Sequence, residues 1–483
     1  MAHVIEKDRP KSFSLLIPKD SKLRKLYQLA LNPKLSEADI STRIYKSKPG
    51  DKRFLMLKGN LINKLSELIL IGQHSDVNKN NYIKVQFECD KQLTIARKLL
   101  FVNVYHNAEK IVKKTLKVAI RYHLVSVEAE CYTLMRKINY LKGFKDETEQ
   151  FHQLSVDKLK LTSKINEARG MTEVFLAEVK FLRSQSKAIA KKCSQYILSL
   201  IAYDAESPFI ALAILRIRLI KAHQENDLEA WSQTLEELQE FIKNYPHLLT
   251  EHLLLEYQIS IVKYNLAISD YKAAKKSINA LQKFTTFEAF NHFEVLAESF
   301  LVYCRKGNLK QANNILNEVF ESLQFDMLDS MDKAAWVIRA AYLFLAVKYS
   351  EQNIDIKWFS ERELTSFFNT CKPITKDKAG YNLQFVIIRI LLLHSKESID
   401  YASEHNSLKV YHSRYLKRNL PVRSSAFYAI LTKLTKANFK KKNYDDLSKD
   451  LKKKLKEHPS HIEYCELFMY EDLWELIGKT LRK

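Results

Sequence analysis

Glycine and proline are scarce, with 8 and 9 in 483 residues, far below the roughly 12% that they make up in an average chain. Sheet proteins need such residues for hairpin turns, and α/β enzymes need glycine for phosphate loops and tight strand-to-helix connections. Neither Gly nor Pro occurs between Gly72 and Gly143, and only Gly307 lies between Pro246 and Pro373. Stretches of that length suit helices joined by short polar turns. Cysteine is sparse too: Cys89, Cys131, Cys193, Cys304, Cys371 and Cys465, the closest pair 42 residues apart. That spacing excludes a CxxC metal knuckle or redox pair and argues against a disulfide framework, so buried free thiols are expected. Long apolar runs are absent. No stretch of 18 apolar residues appears, so no membrane span is expected. The first twelve residues are charged and lack the apolar segment of an export signal, which makes a cytoplasmic location the expectation.

What is present is enough to build a core: 46% of residues are hydrophobic, which argues against wholesale disorder. Net charge is +22 and unevenly spread: +18 over residues 1–200, −4 over 201–400 and +8 over 401–483. Two basic ends thus flank a mildly acidic middle. Such an excess attracts nucleic acid, an anionic membrane or an acidic protein face, although lysine also serves simply to solubilise helices.

Residues 1–20 show no clear period and contain Pro10 and Pro18, which reads as an extended arm. A three-helix unit is expected over 21–75: Lys22 to Leu31, then a helix capped by Ser36 and running through Tyr45, then a longer one opened by Asp51. In the last, Phe54, Leu57, Leu61, Leu65 and Leu68 recur at three and four residues. This unit loosely resembles a helix-turn-helix, with Lys48, Lys52, Arg53 and Lys58 around its second turn as candidate anion contacts. A basic helical region follows over 76–200. It has three helices up to Gly143 and then a long, more polar hairpin, Glu147–Ala168 and Met171–Tyr196, turning at Glu167–Gly170.

The middle, 201–400, carries a recurring pattern. Asp227-Leu228-Glu229-Ala230-Trp231, Asp270-Tyr271-Lys272-Ala273-Ala274 and Asn308-Leu309-Lys310-Gln311-Ala312 each start with Asp or Asn, followed by a large apolar residue. A helix-facing residue comes four on, and the spacings are 43 and 38 residues. Asn443-Tyr444-Asp445-Asp446-Leu447 repeats the pattern in the basic C-terminal region, 401–483. The Asp or Asn would cap the second helix of a hairpin, the apolar residue would staple the turn, and small Ala274 and Ala312 would let helices cross closely. These units resemble the tetratricopeptide (TPR) family of helix–turn–helix repeats. They depart from it in their longer period, in having a turn glycine only at Gly307, and in placing Trp231 at a small-residue position. The resemblance implies an all-α fold of stacked helical hairpins, a TPR-like α-solenoid, whose concave side would grip a protein.

Catalytic chemistry finds little support. Gly478-Lys479-Thr480 ends like a phosphate loop, but Leu473 stands where the first glycine belongs, and the segment reads as helix. His458-Pro459-Ser460-His461 with Glu463 and Cys465 gathers possible donors, yet Pro459 breaks the geometry that would converge them. No HExxH, GxSxG or Asp-rich metal loop occurs. No catalytic, cofactor or metal residue is therefore nominated, and no small-molecule substrate is expected. Residues 411–442 form the best basic-aromatic cluster, with Arg414, Lys417, Arg418 and Arg423 as candidate phosphate contacts and Tyr411, Tyr415, Tyr428 and Phe439 interleaved. The alternative for this stretch is an amphipathic helix that packs its aromatics inward. The sequence thus points first to a non-enzymatic scaffold or adaptor that binds protein. Second comes a nucleic-acid-associated regulator that touches DNA or RNA through its basic ends.

Overall fold

The structure, a computed structural model, describes residues 13–32, 35–46, 50–71, 81–182, 187–281, 291–350, 352–360, 363–364, 366–367, 381–395, 399–413, 422–457, 466 and 469–481. Among these, residues are helical or lie in the connections between helices, and none is in a strand. No described helix is long and apolar enough to cross a membrane. The chain divides into two compact units, Met1–Val156 and Asp157–Lys483.

The first described element of the first unit is a helical turn, α1 (Phe13–Leu16). The arm expected over 1–20 is therefore helical, not extended, at Phe13–Leu16. Phe13 and Ile17 are fully buried, and the Phe13 ring packs 5.0 Å from that of Tyr27. The apolar side chains decide this, since burying each contributes about 1.5–3 kcal/mol, more than local propensity opposes. Next come α2 (Lys22–Ala30), α3 (Glu37–Tyr45) and α4 (Lys52–Ile71). The Ser36 hydroxyl accepts from the Asp39 N–H at 3.2 Å, and the Ser36 N–H donates to the Asp39 carboxylate at 2.9 Å, closing a reciprocal capping box. Leu23, Leu26, Ile40, Phe54, Leu61, Leu65 and Leu68 fill the core between these helices.

Three further helices, α5 (Asn81–Phe101), α6 (Tyr105–Arg121) and α7 (Val125–Lys142), surround a second core of Leu93, Ala96, Val112, Cys131 and Ile138. Asn103, His123 and Gly143 take positive φ at their ends, so two of these three turns form without glycine.

A single helix, α8 (Lys145–Leu182), then runs for 38 residues. This overturns the hairpin expected from Glu147–Ala168 and Met171–Tyr196, because the chain passes straight through Gly170. Leu161, Ile165, Ala168, Thr172 and Phe175 are buried at alternating spacings of four and three. That unbroken buried stripe outweighs the roughly 1 kcal/mol that an isolated glycine costs a helix.

In the second unit α9 (Lys187–Leu200), α10 (Pro208–Glu225), α11 (Leu228–Asn244), α12 (Glu251–Ala267), α13 (Tyr271–Leu281), α14 (Asn291–Arg305), α15 (Leu309–Glu321) and α16 (Ser330–Lys348) each pack on the next. Three of the four anticipated repeat caps are made. Asp227, Asp270 and Asn308 accept from the N–H three residues on, at 3.0, 2.9 and 3.2 Å. Ala274 and Ala312 are both 0% exposed, Ala274 among Leu255, Ile259 and Leu266, and Ala312 among Phe300, Leu316 and Trp336.

The last helices are α17 (Tyr381–Ser395), α18 (Tyr401–Tyr411), α19 (Val422–Lys436), α20 (Lys441–Glu457) and α21 (Tyr470–Thr480). Asn443 lies inside α20 rather than at its start, so it is no cap. The turn comes earlier, at Asn438 and Phe439, both at positive φ, with Phe439 buried against His394 at 4.2 Å between ring centroids. Four free cysteines, Cys89, Cys131, Cys193 and Cys304, are buried. Burial pushes the thiols of Cys89 and Cys193 up to about 11 and that of Cys131 up to about 12.

Candidate functional site

Of the eight basic residues singled out in the sequence, Lys52, Arg53, Lys58 and Arg423 lie among the described residues. On α4, Lys52 and Arg53 are exposed, but the Arg53 guanidinium is clasped by Asp51 at 2.8 Å. Lys58 reaches across to Glu37 at 2.7 Å. Lys48, Arg414, Lys417 and Arg418 lie outside the described residues, as does the stretch from His458 to Cys465. Arg423 is a correction. It is only 3% exposed, and its guanidinium donates to both oxygens of Glu466, at 3.1 and 2.9 Å, and to Glu471 at 2.6 Å. A cation that is buried and paired with two carboxylates is not free to meet phosphate. Tyr428 and Phe439 are also buried, while Lys433, Lys436, Lys440, Lys441 and Lys442 are exposed, so this segment packs its aromatics inward. Gly478 lies in α21 where a Cβ would stand 2.4 Å from the Tyr444 hydroxyl, which makes it a close-packing residue. No cluster of three or more potential metal ligands occurs among the described residues.

The second unit holds a recess of about 560 Å³. Helices α10, α12, α14 and α16, the first members of successive pairs, each contribute one stripe at helical spacing. These are Arg216, Ile220 and His223; His252, Glu256, Ser260 and Lys263; Glu294, Ala297 and Glu298; and Asp332, Trp336 and Arg339. Leu176, Ala177 and Val179 of α8 and Trp231 of α11 complete the lining. The volume falls in the ordinary range for ligand sites, and the mixture of aromatic walls with a few polar groups is the chemistry such sites use.

Its charges are arranged in sets. Arg216 pairs with Glu256 at 2.7 Å, and His252 Nε2 approaches the same carboxylate at 3.1 Å. Burial works to raise the Glu256 carboxyl, but the hydrogen bond from His252 and the guanidinium of Arg216 together hold it below the usual range. Lys263 stands 3.6 Å from Glu298 and 3.9 Å from Glu294. Burial raises the Glu298 carboxyl, with Lys263 pulling the other way. His223 is pushed down to about 4 by burial, and its ring meets Trp231 edge-on at 5.2 Å. Trp231 Nε1 donates to Ser260 Oγ at 3.1 Å.

Arg339 differs from the rest. It is 6% exposed, its guanidinium carbon lies 4.7 Å from the centre of the Trp336 ring, and its Nε is buried without a hydrogen-bond partner. It forms no ion pair among the described residues, although the Glu298 carboxylate lies near enough to feel its charge. Sequence alone does not single out this site, because its lining comes from six helices. One signal points toward it: between Lys333 and Lys348, Arg339 is the lone charged residue in an otherwise apolar run.

No protein-family model, curated protein or solved structure matches this chain.

Proposed function

We propose that the chain is a non-enzymatic, cytoplasmic helical-repeat scaffold whose TPR-like middle holds a protein partner in the recess of the second unit. One observation carries this reading. Three helix pairs close with the same cap, at Asp227, Asp270 and Asn308, and the first helices of successive pairs turn polar and aromatic side chains into one concavity. Repeated hairpins present such concave faces to peptides and folded proteins. The nucleic-acid alternative draws less support, because Arg53 and Lys58 are paired with acids of their own chain and Arg423 is buried.

Affinity capture with the full chain, with and without nuclease, tests the reading. It is run beside Ala177→Trp, which places a large ring from the exposed face of α8 into the recess without touching the core. A protein retained after nuclease and lost with Ala177→Trp is the expected result. Capture that depends wholly on nucleic acid, or that Ala177→Trp leaves unchanged, overturns it. A +22 chain binds polyanions in low salt through charge alone. Only duplex binding that persists near physiological salt and depends on one cluster would favour the alternative.

A further inference from the structure

We infer that the recess receives a carboxylate carried on an apolar stretch of the partner protein, with the Arg339 guanidinium as its receptor. The inference rests on the protein-binding reading above and goes beyond it by naming the chemistry that is recognised.

The other cations of the recess already have carboxylate partners, although the Arg216 Nε is also without an acceptor. Arg216 has Glu256 at 2.7 Å, and Lys263 lies between Glu298 and Glu294. Arg339 has neither ion pair nor hydrogen bond among the described residues, and its Nε is sealed from solvent. The Nε–H left so is costly, since it is removed from water with no acceptor in return. Stacking on Trp336 covers the π-face only and leaves the in-plane Nη donors open to an incoming acceptor. A planar carboxylate fits that fork in the bidentate manner guanidinium favours.

The walls restrict the choice of anion. Glu256, Glu294, Glu298 and Asp332 all line the recess, so a doubly charged phosphate would be repelled where a singly charged carboxylate is tolerated. Trp336, Trp231 and Phe293 give the flanks of the ligand an apolar surface. A Glu or Asp side chain and a chain-terminal carboxylate offer the same chemistry, and the test distinguishes them.

Three pools of labelled synthetic peptides are titrated against the full chain. The first has amidated ends and a central Glu between Leu, Phe and Trp. The second replaces Glu by Gln. The third keeps Gln but ends in a free carboxylate after the apolar residues. One of the carboxylate pools is expected to bind at least about tenfold more tightly than the second pool. A preference for the first pool assigns the side chain, and a preference for the third assigns the chain end. Arg339→Met should erase the preference, while Arg339→Lys should retain part of it.

Unliganded Arg339→Met should also melt no lower than the parent, because an apolar chain replaces an unmatched buried cation. A lower melting temperature would make Arg339 a structural group and overturn the inference. Equal binding of all pools, no binding by any, or a preference that survives Arg339→Met overturns it as well. Equal binding that Ala177→Trp abolishes would leave the partner-binding reading standing and remove only the carboxylate.

Discussion

At the scale of single residues, the turns show how a glycine-poor chain reverses direction. Lys46, Asn103, His123, Asn226, Ser269, Asn438 and Phe439 all take positive φ, and only Gly143 and Gly307 join them among the described glycines. Left-handed geometry costs an ordinary residue about 1–2 kcal/mol. Lys46 is exposed at φ 51°, so Lys46→Gly should raise stability by about 0.5–1 kcal/mol once the looser unfolded chain is counted. Gly307 has φ 68° and open space for 4 Å around the point where a Cβ would stand, so Gly307→Ala should cost about 1 kcal/mol through backbone strain alone. Urea midpoints at constant slope would check both signs.

Ionisable residues give two more tests. Arg423→Glu would set a third carboxylate against Glu466 and Glu471 and should lose about 3–5 kcal/mol. A parent-like melting curve would contradict the buried network. Burial raises the Glu298 carboxyl above its ordinary 4.5, so the folded chain holds that proton more tightly than the unfolded one. Ionisation at neutral pH therefore works against the fold, and protonation restores the stability as pH falls. Glu298→Gln should melt above the parent at neutral pH, with the advantage shrinking as pH drops toward 4.5. A difference that stays constant across that range would speak against a raised carboxyl.

At the scale of elements, two glycines inside helices play opposite parts. Gly170 in α8 has nothing within 4 Å and no positive φ, so Gly170→Ala should stabilise by about 0.5–1 kcal/mol. A turn at this point would instead be damaged by the same change. Gly478 in α21 faces Tyr444, whose hydroxyl donates to the Trp474 carbonyl at 2.9 Å and whose ring stacks on Trp474 at 4.9 Å. Gly478→Ala should therefore lose about 1–3 kcal/mol by overpacking. Thermal melts of the pair, expected to move in opposite directions, settle both.

The same elements show what can be read from a sequence. Caps at Ser36, Asp227, Asp270 and Asn308 are legible because a side-chain oxygen and its N–H partner lie three residues apart in the chain. The continuity of α8 is hidden by Gly170, although its four-three stripe is there to be followed. Asn443 misleads because the cap pattern is short and carries no information on where the preceding helix ends. The recess is illegible for a different reason. Its stripes look like ordinary helix faces until tertiary packing turns α10, α12, α14 and α16 toward one another.

At the scale of the molecule, the +22 charge and the fold make separate statements. Charge governs what the chain attracts at a distance, while local pairs such as Lys58 with Glu37 and Arg216 with Glu256 leave that net excess unchanged. Helix content follows from the shortage of breakers and the caps that replace them. Far-ultraviolet circular dichroism should accordingly be dominated by helix, well above the ~30–35% of average chains. A substantial sheet signal would be incompatible with the architecture.

The buried thiols make each unit report on its own opening. Cys89 and Cys131 belong to the first unit, Cys193 and Cys304 to the second, and burial keeps all four in the unreactive protonated form. An alkylating reagent can reach them only when the surrounding helices part. Peptide-resolved alkylation along a heating ramp would thus time-stamp the two units independently, without any engineered label. Simultaneous labelling of both pairs would mean that the units open together, and staggered labelling would rank them.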